Sequence, residues 1–291
     1  PCMRPQFFSR TTKQLQTWTE STFLNFLYFS SLGRFCLSLI RTRLFSTCMG
    51  AIFQAHWSRK LLPFLIKKYH IDTSTYITPS EWFASVQDFF IRKSKTGYRT
   101  FTPEKNILCS PVDGCIEITY ATSQKWLCMV KWTSANVEKL FGPDSADFSG
   151  GELLFFRLRF SDYHRFHFFD DGEVLSSQAR DGLLYSVDNS VLKTGLWLEN
   201  KSHLMRLRTE NFGDVLWLEV GATNVGSITN HLWVGERFTR WQEKWFFWLG
   251  GSAVLILFQK NKISIADDIT KMSTQGIETE IITGESIGKS L

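Results

Sequence analysis

The chain lacks acidic residues where it is rich in phenylalanine. From Ser21 to Ile71 there is no Asp or Glu, while Arg34, Arg41, Arg43, Arg59, Lys60, Lys67 and Lys68 are present. It also lacks any run of about 18 uncharged apolar residues, the length that a single spanning helix requires. The apolar run 245–258 is bounded by Lys244 and Lys260 and interrupted by Gly250, Gly251 and Ser252. Its length and its glycines fit buried strands. No cysteine pair has C-x-x-C spacing, and no secretory signal precedes Cys2, Cys36, Cys48, Cys109, Cys115 and Cys128. Reduced thiols in a cytosol-facing chain are therefore expected, not a disulfide framework. Zinc-finger spacing and aromatic–basic repeats are missing, and the 33 basic and 28 acidic residues are spread evenly over most of the chain. These absences argue against a nucleic-acid partner.

What is present falls into two textures. Phe23, Leu24, Phe26, Leu27, Phe29, Leu32, Phe35, Leu37, Leu39 and Ile40 lie among the N-terminal basic residues. Phe-rich helices whose only charges are basic suit a membrane interface, apolar face down and Arg/Lys toward anionic head groups. The competing reading is a helical pair packed on its own core with a solvated basic face. "TPSEWFASVQDFFIRK" (78–93) predicts a helix capped by Thr78 or Ser80, with Trp82, Phe83, Val86, Phe89 and Phe90 at spacings of three and four. After Pro103, short apolar runs alternate with Gly, Asp, Asn and Ser turns, the pattern of antiparallel strands. The expected fold is α+β. Membrane-associating helices fill 1–102, and a mainly antiparallel, sandwich- or barrel-like β domain fills 103–291. With 43% hydrophobic residues the chain can bury a core of that size.

Three places carry candidate chemistry. "SPVDG" puts Asp113 in a Pro/Gly turn after a short strand, where most Asp-Gly pairs are only turns. "DYHRFHF" holds His164 and His167, readable as metal ligands, as structural histidines beside aromatics, or as acid/base groups titrating near neutral pH. No third ligand at a familiar zinc spacing accompanies them. "LGGSAV" holds Ser252, which is not in the G-x-S-x-G of a hydrolase elbow. Asp, His and Ser are nonetheless the parts for activating a hydroxyl.

"PVDG", "DYHRFHF", "VEKLFG", "EVGATNVGSI" and "GGSAVLILF", in this order, resemble the phosphatidylserine decarboxylase family, and in general arrangement its shorter, chlamydial-type members. The resemblance runs from "FASVQDFFIRK" to "GESIGKS". It implies self-cleavage between Gly251 and Ser252 into a β chain, 1–251, and an α chain, 252–291. It assigns Asp113, His167 and Ser252 to that cleavage, with His167 as base, and His164 as proton donor in the mature reaction. Ser252 would become a covalent pyruvoyl group, with no metal, that decarboxylates phosphatidylserine to phosphatidylethanolamine through a Schiff base. Associated α and β chains, a homodimer, an anionic membrane surface and peripheral attachment at the cytoplasmic face of a bacterial inner membrane are also implied. The glycines suit the cleavage, because they allow backbone torsions barred to other residues and leave the Gly251 carbonyl uncovered.

Three positions depart from the family pattern. Ala253 stands where Thr or Ser is usual, Trp245 where Gly is usual, and Trp132 where a smaller or polar residue is usual. A Trp in place of Gly is damaging where that Gly held a positive φ or a close backbone approach. A non-maturing membrane-binding homologue is thus the rival reading, and a serine hydrolase using Asp113, His167 and Ser252 a weaker one.

Overall fold

The structure, a computed structural model, describes residues 6–18, 21–120, 127–130, 133–222, 232–247 and 252–291. Gly250, Gly251 and Trp132 lie outside them, as does all of "TNVGSI". The chain opens with a hairpin, β1 (Gln6–Ser9) and β2 (Gln14–Thr17). Helices α1 (Thr22–Phe29), α2 (Ser31–Ile40) and α3 (Arg43–Gln54) follow, then a 3-10 segment at His56–Leu61, α4 (Leu62–Lys68) and the short α5 (Val86–Phe90). Next come β3 (Ile107–Cys109), β4 (Gly114–Tyr120), the hairpin β5 (Leu127–Val130) and β6 (Thr133–Asn136), and α6 (Val137–Phe141). They lead to β7 (Glu152–Leu158), β8 (Arg165–His167), β9 (Gly172–Arg180), α7 (Asn189–Leu192), β10 (Ser202–Thr209) and β11 (Gly213–Gly221). The chain closes with β12 (Arg237–Phe238), β13 (Glu243–Phe246), β14 (Ser252–Phe258), β15 (Ile263–Ile265), α8 (Asp267–Ser273), β16 (Glu278–Ile281) and β17 (Ser286–Ser290). The architecture is α+β with a mainly antiparallel sheet, as the sequence predicts.

The main sheet has the order β12-β9-β10-β11-β14-β7-β4-β16-β1-β2. Its pairs are antiparallel except β1 with β16. β14 lies near the middle, and both of its faces are covered. Val254, Ile256 and Phe258 enter a cluster with Leu154, Phe156, Phe166, Phe168 and Trp217. Ala253, Leu255 and Leu257 enter the opposite one with Leu153, Phe155, Leu216 and Trp197. Alternation of side chains across the sheet produces this division. It also explains why "SAVLILF" reads as unbroken apolar sequence, since neither parity faces water. Each fully buried large apolar side chain here contributes about 1.5–3 kcal/mol.

Two local expectations change. The strands before residue 103 were not foreseen: β1 docks beside β16, Phe7 opposite Glu278. The helix expected over 78–93 is confined to Val86–Phe90, and its cap is Ser85, which accepts from Asp88 N–H at 3.1 Å. The cause is Trp82, whose φ of 66° lies in the left-handed region. A helix does not run through that geometry, which costs a bulky side chain about 1–3 kcal/mol.

The N-terminal helices are capped as their serines and threonines predict. Ser21, Ser30 and Thr42 accept from the third residue on in α1, α2 and α3. No single described helix is long and apolar enough to cross a membrane, and α1 and α2, which together pass that test, bend by 97°. Gly33 permits the bend, because a Cβ there would sit 2.0 Å from the Phe26 carbonyl oxygen. Leu27, Tyr28 and Leu37 pack on Tyr185 and Val191. Phe23, Phe35 and Phe64 remain 64–67% exposed.

One ion pair ties the two sides of Ser252 together inside the sheet. Arg157 on β7 donates to Glu278 on β16 at 2.7 and 3.0 Å, and both side chains are almost wholly buried. Removing one member of such a pair leaves an uncompensated buried charge, at a cost of about 3–5 kcal/mol. Arg157→Met is therefore expected to lose that much unfolding free energy in urea melts. Arg157→Met with Glu278→Leu should lose clearly less, because no orphaned charge remains.

Candidate active site

The histidine segment is anchored by its neighbours in space. His167 N–H donates to the Pro111 carbonyl at 3.0 Å, two residues before Asp113. Phe247 N–H donates to the His164 carbonyl at 3.0 Å, and β8 pairs with β13. The chain leading to Ser252 is thus bonded to the strand that carries the histidines. Ser252 opens β14, opposite Leu158 on one side and Gly221 on the other. By parity its side chain shares the face of Val254, the face on which Phe166 of β8 packs. Ser252 is fully buried, and its Oγ has no hydrogen-bond partner among the described residues. A buried hydroxyl without a partner costs free energy, so it requires an explanation.

The two histidines have different surroundings. His164 is fully buried and stacks on Phe90 of α5 at 3.8 Å. Its Nε2 meets the Arg159 carbonyl at 2.9 Å, so Nε2 carries the proton and Nδ1 holds a lone pair without a partner among the described residues. Burial, with the nearby Arg92 guanidinium, lowers its pKa to about 3. His167 lies flat between Trp241, at 4.4 Å and 8°, and Tyr163, at 6.3 Å and 12°. Its Nδ1 is likewise without a partner among the described residues. Burial and Arg165 lower its pKa to about 4, against the opposing pull of Asp113. Both imidazoles are neutral at pH 7, the state in which a histidine accepts a proton.

Asp113 sits between β3 and β4, as the turn motif predicts, but its bonds go elsewhere. Arg99 donates to it through Nη2 at 2.6 Å and Nε at 3.0 Å, and Thr283 through N–H at 2.8 Å and Oγ1 at 2.7 Å. The fold brings Asp113 and both histidines into one neighbourhood. Among the described residues, no hydrogen bond joins Asp113 to His167 or His167 to Ser252. Nor does any group of three or more His, Cys, Asp or Glu there have the arrangement of a metal site.

Several site residues were missed from the sequence. Arg92, Arg99 and Thr283 carry no motif of their own. Trp241 covers His167 with a φ of 72°, which is unusual for so large a residue. The departures foreseen at 245 and 253 are accommodated. Trp245 lies in β13 without a positive φ, stacked on Phe246 at 4.5 Å. Ala253 points into the apolar cluster on the face opposite Ser252, where a hydroxyl would need a partner.

Known proteins match this arrangement over almost the whole chain. The family model for phosphatidylserine decarboxylase matches residues 86–289. The phosphatidylserine decarboxylase proenzyme of Ruminiclostridium cellulolyticum is 36% identical over 98% of both chains. Those of Chlamydia felis and Chlamydia caviae are 36% and 37% identical over the same shares. With the histidine strand, the Asp113 turn and the buried Ser252 in one fold, the chain belongs to the phosphatidylserine decarboxylase family of carboxy-lyases.

Proposed function

We propose that this chain is a proenzyme that cuts itself between Gly251 and Ser252 and then decarboxylates phosphatidylserine. The observation that carries the reading is Ser252: a buried hydroxyl with no partner among the described residues, on the sheet face covered by the histidine strand. His167, neutral at pH 7, takes the hydroxyl proton, and Asp113 orients it. Oγ attacks the Gly251 carbonyl carbon, the C–N bond breaks, and an ester forms. Loss of the Ser252 α-proton breaks the Cβ–Oγ bond and frees residues 1–251 as a carboxylate. The dehydroalanine left on 252–291 takes up water and releases ammonia, which makes the new terminus a pyruvoyl group. Ser252 fits such a group, since its side chain is enclosed and makes no polar bond that the conversion would break.

That pyruvoyl carbonyl, by condensing with the substrate amine, supplies the electron sink for loss of carbon dioxide. The chain's own residues do the rest. His164 handles the proton destined for the substrate α-carbon. In the uncut chain its Nδ1 is bare, so it must first collect that proton. Phe90 stacks on its ring and Arg92 acts on it through its charge. The two products stay joined because strands of 252–291 lie between strands of 1–251: β14 between β11 and β7, and β16 between β4 and β1. The helical layer suits peripheral attachment to a membrane. Phe23, Phe35 and Phe64 are exposed among basic residues, while Leu62, Phe83 and Phe90 pack with Tyr163, next to His164 in sequence.

Intact mass tests the cleavage. The wild-type chain is expected to yield a 40-residue fragment, 252–291, beginning in pyruvoyl. Ser252→Ala should stay whole and inactive, and a cut, active Ser252→Ala would end the reading. A wild-type chain that stays whole under all conditions would favour the non-maturing homologue.

The histidine roles separate by variant and by pH. His167→Ala should block cleavage, while His164→Ala should cut and fail to decarboxylate. With its pKa depressed to about 4, His167 is available as a base above that value and lost below it. Cleavage should thus be flat from pH 8 to about pH 5 and fall as the pH drops through 4.

Vesicle sedimentation tests the membrane face. Phe23, Phe35 and Phe64 together changed to Ser should weaken binding to phosphatidylserine-containing vesicles by about tenfold or more, given about 1.5–3 kcal/mol per buried Phe. Circular dichroism should not change.

A further inference from the structure

We infer that Arg99 is a positioning residue for self-cleavage: it clamps the Asp113 carboxylate beside His167 and offsets its charge there. Thr283 completes the clamp from the far side of the bond to be cut. The inference rests on the cleavage roles proposed above for Asp113 and His167.

The geometry is that of a built holder. A carboxylate offers about four acceptor sites. On Asp113, Oδ1 accepts from Arg99 Nε and from the Thr283 N–H and hydroxyl at 2.7–3.0 Å, and Oδ2 accepts from Arg99 Nη2 at 2.6 Å and Nε at 3.2 Å, which leaves capacity on Oδ2 toward His167. The Arg99 and Asp113 side chains are 7% and 8% exposed, so the pair is shielded from solvent and its desolvation must be offset by hydrogen bonding. Arg99 is itself fixed. It donates to Tyr76 Oη at 3.0 Å and to Ser94 Oγ at 3.2 Å, and its guanidinium lies over the rings of Tyr76 and Tyr163 at 4.9 and 4.7 Å. Tyr163 is also the ring parallel to His167. One guanidinium therefore touches the carboxylate and the aromatic wall of the base together. Against the lowering effect of burial, Asp113 carries Arg99 above its ordinary pKa, so Arg99 keeps its charge throughout the working range.

The charge balance at His167 gives the clamp a function beyond shape. The charged and titratable groups facing His167 are Arg165 on its own strand, Glu243 on β13, Tyr163 before β8, Asp113 before β4 and Arg99 after α5. Asp113 alone would favour imidazolium, which is useless as a base. With Arg99 bound to it, the carboxylate stays close without imposing that cost. Thr283 belongs to the fragment that carries Ser252, so the clamp also spans the two products.

Cleavage of freshly translated chains, followed by mass against pH, tests this. Arg99→Gln is expected to slow cleavage at pH 7 about tenfold, from loss of a charged hydrogen-bond partner. It should also move the acid limb up by about one pH unit, because Asp113 then acts on His167 unopposed. Arg99→Lys should restore the limb but not the full rate, since an ammonium lacks the two-pronged fit. Thr283→Val should slow cleavage with little movement of the limb, and Thr283→Ser should keep the wild-type rate. Should Arg99→Gln not cut at all, the His167 titration by NMR decides in the uncut Ser252→Ala background: added Arg99→Gln should raise it. An unmoved limb and an unmoved titration would overturn the clamp. Asp113→Asn tests the underlying reading separately. If it matures at the wild-type rate, the proposed role of Asp113 fails with the clamp. If it stays uncut while Arg99→Gln behaves as wild type, the clamp alone fails.

Discussion

The two-sided burial of β14 is the constraint on which the rest of the structure depends. A strand covered on both faces and hydrogen-bonded along both edges has no freedom to move as a unit. Its first residue is Ser252. The Ser252 Cα is therefore held by β11 and β7 before any chemistry begins. The preceding segment is tied to the histidine strand through Phe247 and β13. Holding both ends of a reacting linkage on separate rigid elements is how a fold converts an improbable encounter into an intramolecular one. The same burial leaves the Ser252 hydroxyl without a partner among the described residues, and no described group compensates its desolvation.

Two pairs of buried charges inside this sheet hold one another, while buried neutral groups such as Thr279 Oγ1 and Trp217 Nε1 have no hydrogen-bond partner among the described residues. Arg157 with Glu278, and Lys244 with Glu219, are buried charges held by opposite charges. Asp113 is held by Arg99 and Thr283 through five hydrogen bonds. His164 Nδ1, His167 Nδ1 and the Ser252 hydroxyl are likewise without a partner among the described residues. Trp241 adds strain of another kind, a large residue in the left-handed region pressed flat on His167. Such strain persists only where surrounding contacts over-determine it. Here those are the bond from Trp241 N–H to the Phe168 carbonyl at 2.9 Å and the edge contact with Phe101.

The parts legible in the sequence were those encoded by neighbouring residues. Short apolar runs between turn residues marked the β domain, and the Pro/Gly turn marked Asp113. The parts that stayed hidden depend on distance or on single torsions. Thr283 is 170 residues from Asp113, and a threonine in a turn near the C-terminus carries no sign of that bond. The apolar spacing over 78–93 is that of a helix, but the same residues serve as a folded-back cover for the histidines once Trp82 turns left-handed. Periodicity reports which side chains are buried, not which backbone presents them. Likewise "QFFS" and "QLQT" are too short to announce strands, and β1 exists because β16 leaves an edge for it to join.

The two substitutions that most weakened an active reading can be weighed against this geometry. Ala253 has opposite parity to Ser252, so a hydroxyl at 253 would project into Leu153, Leu255 and Leu257 territory, away from the histidines. Alanine there removes a polar burial and leaves the Ser252 face unchanged. Trp245 sits at a register shift in β13 opposite Phe166, with its ring on Phe246 and no left-handed backbone to oppose it. The larger side chain thus adds packing on the strand that feeds Ser252. Ala253 leaves the Ser252 face unchanged, and Trp245 keeps the pairing of β13 with the histidine strand. The residue that does press on the machinery is Trp241. Under the proposed self-cleavage, any difference between this chain and its relatives is therefore better sought over the face of His167 than at Trp245 or Ala253.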